Sequence, residues 1–180
     1  MARDAPVDLA GLDAAQQRVV DEVRAGRRGV VPANVVAWLP SPELARRAAA
    51  LGEFVRYETS LGARRSELAI LAVARHWSCH YEWAVHAGEA AAAGVPAAVI
   101  AAIGQGATPD LADPDGAVYA FARELVATGR VCDATYARLA EALGQTAVVD
   151  LIGVVGYYTL VAFTLNAREV PAPPGAPGLG

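Results

Sequence analysis

The sequence contains no lysine. All 15 of its basic residues are arginine, which excludes a lysine Schiff base, the anchoring of pyridoxal phosphate and the P-loop lysine. Cysteine is scarce. Cys79 and Cys132 are the only two, too few for a disulfide framework and typical of a reducing compartment, so a cytoplasmic location is expected. Charge is also thin, at 19% of 180 residues with a net of −4. That balance leaves no basic face for nucleic acid or an anionic membrane, and neither is expected as a partner. Alternating β-branched runs bounded by turns are missing, which excludes a sheet-rich fold. Gly-x-Ser-x-Gly is absent, and Gly104-x-Gly106 follows a helical pattern rather than a strand. No cysteine stands three residues from Cys79. The nucleophile elbow, the dinucleotide fingerprint and the redox CxxC are thereby set aside.

Apolar residues, by contrast, make up 54% of the chain, and 41 of them are alanine. That is enough for one domain with a core, and alanine favours closely packed helices. The fold class expected is all-α. Expected helices run over 14–24, 42–59, 67–77, 79–93, 96–103, 115–128, 133–143 and 146–166, each bounded by Gly, Pro or a capping residue. The stretch 29–40 reads as an irregular connector. The domain expected is 14–172, with flexible ends at 1–13 and 173–180, the latter rich in Pro and Gly. The first residues lead into no apolar run with a cleavage site, so no signal peptide is expected. Residues 147–165 are apolar enough to suggest a membrane span, but Asp150, Tyr157, Tyr158 and Thr159 argue for a buried helix in an oligomeric all-α protein.

The reactive residues are concentrated. His76, His80 and His86 are the only histidines, and between them lie Cys79, Glu82, Trp77 and Trp83. Imidazole is the natural proton carrier near neutral pH, so any such chemistry belongs here. On one continuous helix, positions 79, 82 and 86 share a face, and Glu82 and His86 are one turn apart. His80 and Tyr81 would point elsewhere. Glu67 interrupts an apolar helix; if buried, its carboxyl needs a partner or a raised pKa. Metal chemistry is not expected: His76-x3-His80 has ligand spacing, but Trp77 stands where HExxH needs its glutamate.

The segments Arg65-Ser66-Glu67-Leu68-Ala69-Ile70-Leu71, Ala74-Arg75-His76-Trp77 and Tyr81-Glu82-Trp83-x2-His86 resemble the carboxymuconolactone decarboxylase family, which shares its fold with the alkylhydroperoxidase D proteins. The resemblance extends over residues 14–172. The peroxidase branch resembles Glu-x11-Cys-x2-Cys-x3-His. Here Glu67, Cys79 and His86 fit that frame, but Glu82 replaces the second cysteine. The decarboxylase branch carries Tyr-Glu-Trp, as this chain does, and acts on small carboxylated lactones by proton transfer without a metal or organic cofactor.

The resemblance thus implies a cofactor-free acid–base enzyme, a decarboxylase or isomerase of a small unsaturated or aromatic-derived acid or lactone. His86 is then the proton donor, Glu82 sets its tautomer and charge, and Glu67 is a second acid or base across the pocket. Trp38, Trp83 and His76 are expected substrate contacts. A trimer or hexamer of the chain is implied as well. Two other readings remain open: a thiol peroxidase using Cys79, and a catalytically silent oligomeric scaffold.

Overall fold

Asp13 starts the first helix by a reciprocal cap. Its carboxylate accepts from the N–H groups of Ala15 and Gln16, and the Gln16 side chain accepts from the Asp13 N–H, which satisfies donors the helix cannot. The computed structural model describes residues 8–176 with Gly178 and Leu179; the expected flexible residues 1–7, Pro177 and Gly180 lie outside them. Among the described residues the fold is all-α: α1 (Ala14–Ala25), α2 (Ala33–Trp38), α3 (Pro42–Tyr57), α4 (Ala63–His76), α5 (His80–Ala92), α6 (Ala97–Gly104), α7 (Asp115–Thr128) and α8 (Asp133–Ala167), with no strand.

Helix α4 is the centre. Every residue from Ser66 to Ala74 is buried, because α5, α7 and α8 all pack against it. A helix apolar on all sides finds its place only in such surroundings. Its flank is held by Arg64 and Arg65, which both pair with Asp115 at the start of α7. Those arginines are therefore committed to α7 and leave Glu67 to find another partner.

Two local expectations are revised. The connector 29–40 contains α2, whose Val35 and Trp38 are core residues. Ser78 does not cap α5. It sits at φ +47, and Cys79 takes the N-cap position without a side-chain cap bond. The two C-terminal helices expected on either side of Gly144 are both present within α8, where Gly144 at φ 83 and ψ 173 breaks the helical run between them. Glycine reaches that backbone without steric penalty.

α8 is long and apolar enough to cross a membrane by length and composition, with half of its most apolar stretch buried within the fold. Asp150 on it accepts from the Ser60 N–H and hydroxyl at 2.7 Å. Trp38 and Trp77 donate to its Thr164 and Thr159 hydroxyls, so its polar groups are knitted to α2, α4 and the α3–α4 turn. Helix α3 approaches it closely at Gly52, where a Cβ would lie 2.1 Å from the Tyr157 hydroxyl. Only a residue without a side chain lets that phenol stand where it does.

Candidate active site

A carboxyl inside the central helix is costly unless it is answered. Glu67 is 6% exposed, and its Oε2 lies 2.7 Å from His86 Nδ1 on α5. The other ring nitrogen, Nε2, faces Glu82 Oε2 at 3.5 Å, one turn back on the same helix. All three side chains are buried. One imidazole therefore stands between two carboxyl groups, tightly bonded to one and loosely set against the other.

The shorter contact is with Glu67 rather than Glu82. With Nδ1–H donating to Glu67 Oε2, the ring presents Nε2 toward Glu82 and the cavity. Glu82 Oε2 has no hydrogen-bond partner among the described residues. Burial pushes its carboxyl above the ordinary range, while His86, Arg28 and Arg56 pull it back.

His86 and Glu82 open into a cavity of about 440 Å³, a size suited to a small ligand. Its walls come from four places in the chain. The α1–α2 connector gives Arg28, Val30 and Val31; α3 gives Arg56; α5 gives Tyr81, Glu82 and His86; α8 gives Tyr157, Tyr158 and Val161. The Tyr158 ring stands edge-on to His86 at 5.1 Å. The Tyr157 hydroxyl accepts from Asn34 Nδ2 at 3.3 Å, and burial raises its phenol to about 12. Arg56 pairs with Glu89 at the rim, at 3.2 Å. Arg28 is half-buried. It lies near enough to Glu82 and Tyr157 to act on them electrostatically but makes no hydrogen bond or ion pair with a described residue.

Of the seven residues singled out from the sequence, three meet here: Glu67, Glu82 and His86. Cys79 does not join them. As the N-cap it stands outside the helical register that would have aligned it with Glu82 and His86. It is 0% exposed within the core, and burial pushes its thiol up to about 11. Trp38 is buried edge-on to Tyr157 and does not line the cavity. Trp83 packs against Gly104 of α6, in a separate groove. His76 is exposed at the end of α4, edge-on to Trp77. None of the three expected substrate contacts reaches the cavity.

Tyr81, expected to point elsewhere, is a wall residue. Arg28, Arg56, Tyr157 and Tyr158 went unselected. Their one sequence signal was the pair of phenols in an otherwise apolar helix, where a polar group needs a reason to be present.

The raised carboxyl of Glu82 gives a pH dependence with a definite sign. A folded pKa above the unfolded one means that the folded state binds more protons between the two, so stability falls as pH rises through that window. It is fully retained below the unfolded glutamate range. Glu82→Gln removes this penalty. Its melting temperature, compared with the parent's from pH 4 to pH 8, is expected to gain by a few degrees as pH rises, since about 1 kcal/mol moves a chain of this size by ~2–4 °C. A difference flat in pH contradicts the burial argument.

The architecture matches a crystal structure from Ralstonia eutropha JMP134, an uncharacterized peroxidase-related protein described as an alkylhydroperoxidase AhpD core. The TM-score is 0.77 at 18% identity, covering 96% of this chain and 93% of that one. At this identity the likeness speaks for the fold alone. No curated protein matches the chain. Residues 42–124, from the start of α3 into α7, match the model of the Carboxymuconolactone decarboxylase family. That segment holds Glu67, Glu82 and His86, and leaves Arg28, Tyr157 and Tyr158 outside it. The chain thus carries, over residues 42–124, a segment of the carboxymuconolactone decarboxylase family type within an AhpD-like fold.

Proposed function

We propose that the protein is a cofactor-free acid–base enzyme that decarboxylates or isomerises a small unsaturated or aromatic-derived organic acid or lactone. The observation that carries this reading is the buried Glu67–His86–Glu82 line opening into a cavity of about 440 Å³ in which Arg28 has no ion-pair partner among the described residues. Loss of CO2 from an acid vinylogous to a carbonyl breaks one carbon–carbon bond and leaves its electron pair as a dienolate, which a proton on carbon then quenches. His86 supplies that proton from Nε2, held in place through Nδ1 by Glu67. Glu82 stands beside Nε2, stabilises the doubly protonated ring and restores its proton from the cavity side. Arg28, which makes no ion pair with a described residue, pairs with the substrate carboxylate. Two free cysteines accord with a cytoplasmic enzyme, with residues 14–172 as its functional unit.

The test is a double-mutant cycle with Glu82→Gln and His86→Asn, read as CO2 release or product absorbance on a panel of β,γ-unsaturated and lactone acids. Each single change is expected to lower the rate by about 10²- to 10⁴-fold. The pair should cost little more than the worse single change, because coupled groups are non-additive. Wild-type turnover in folded His86→Asn sinks the assignment.

The thiol-peroxidase alternative needs a thiolate with access to peroxide. Cys79 is sealed in the core with its thiol pushed up rather than down, and Cys132 is exposed at the start of α8 beside Glu124 and Thr135. Cys79→Ala is expected to leave the main activity within about tenfold, or roughly 1.4 kcal/mol in barrier. Peroxide turnover that disappears in this variant reverses the ranking.

We further propose that the chain assembles into a homo-oligomer. Val149, Ile152, Leu160 and Phe163 are exposed on α8 at spacings that put them on one stripe, and Gly156 on the same stripe has nothing near it. A contiguous apolar face of this kind is what a subunit interface covers. The family resemblance implies a trimer or hexamer. Light scattering at micromolar concentration is expected to give a multiple of the chain mass, and Ile152→Glu to reduce it. A monomer in the parent protein rejects the proposal.

A further inference from the structure

The cavity contains a second group whose bonding is incomplete, on the α8 wall. Tyr158 is 3% exposed, lines the cavity and stands edge-on to His86, yet its hydroxyl has no hydrogen-bond partner of acceptable geometry among the described residues. The polar group closest to it in effect is Arg56, whose guanidinium acts directly on the phenol. A guanidinium can only donate. Arg56 can therefore address the phenol oxygen but leaves the O–H proton without an acceptor. Its neighbour on α8, Tyr157, is already engaged, taking a hydrogen bond from Asn34, so the two adjacent phenols are in different states of satisfaction.

Buried polar groups in folded proteins are nearly always bonded, and an exception calls for a ligand or a mechanistic role. Here three facts agree on what is missing. The free atom is a donor, so the ligand brings an oxygen that accepts. Arg56 polarises the phenol from behind, which strengthens its donation to a negatively charged oxygen. Burial raises the phenol's pKa, so it stays protonated and able to donate while the neighbouring imidazole cycles. We propose that Tyr158 is the oxyanion donor of this site: it hydrogen-bonds the carbonyl oxygen of the substrate and holds the charge that this oxygen gains as the dienolate forms. The ligand class follows. It is a carbonyl-bearing acid small enough for about 440 Å³, with its carbonyl oxygen toward α8, its reacting carbon toward His86 and its carboxylate within reach of Arg28. A donor set in advance at a developing oxyanion is worth about 10²- to 10³-fold in rate.

This rests on the acid–base reading above, and the test separates the two. The probe is 4-nitrophenol, whose anion is a stable oxyanion with its own visible absorption. The parent protein is expected to bind the anionic form in preference to the neutral one. Tyr158→Phe is expected to bind that anion at least tenfold more weakly, with a melting temperature equal to or above the parent's, since removing a buried unanswered hydroxyl leaves nothing unpaired. Equal anion affinity in the two proteins overturns the proposal, as does no binding by the parent at millimolar probe. A clear fall in melting temperature does so too, because it means that the hydroxyl has a protein partner. His86→Asn is the control. If the probe still depends on Tyr158 while His86→Asn keeps full turnover, the donor assignment stands and the proton-transfer reading fails.

Discussion

The structure depends on one costly burial, a carboxyl in the middle of the central helix. Glu67 lies among nine consecutive buried residues of α4, where an isolated carboxylate costs several kcal/mol. The near arginines are turned away to Asp115. His86 at 2.7 Å is therefore the group that makes the burial tolerable, and α5 must be docked on α4 in one register to deliver it. The α4–α5 turn provides that register: Ser78 at positive φ reverses the chain within two residues. The remainder of the cavity is arranged around an imidazole already fixed in position.

Much of this was legible from residue types. The capping and glycine signals located most helices, and the apolar run around Glu67 announced that its carboxyl would need an answer. The clustering of histidines indicated where to look, and Glu82–His86 adjacency followed from helical spacing alone. The partner of Glu67 was not legible, because it comes from packing two helices 19 residues apart in sequence. Cys79 failed for a local reason. Helical spacing aligns residue 79 with Glu82 and His86 only inside the helix, and as a cap residue it has extended backbone dihedrals that aim its side chain differently.

The aromatic residues failed for another reason. Tryptophans draw attention as ligand contacts, but Trp38 and Trp83 are the large apolar bodies that a core of alanines needs to fill space. Trp38 spends its N–H on Thr164, and Trp83 sits where Gly104 gives it room. The cavity instead takes its walls from a connector with little pattern and from one face of α8. Gly52 is the hidden determinant: by having no side chain it admits the Tyr157 hydroxyl, and so sets the depth to which the tyrosine face of α8 approaches α3.

The two carboxyl groups flanking His86 differ in a way that assigns their work. Glu67 is short-bonded to the ring, whereas Glu82 is farther from it, unpartnered at Oε2 and pushed toward its neutral form by burial. Two acids held so differently by their surroundings suit different tasks at one pH. A peroxidase needs a thiolate with access to peroxide. Glu82 stands where a second cysteine would resolve it, and Cys79 is a core residue whose thiol is pushed up to about 11, chiefly by burial.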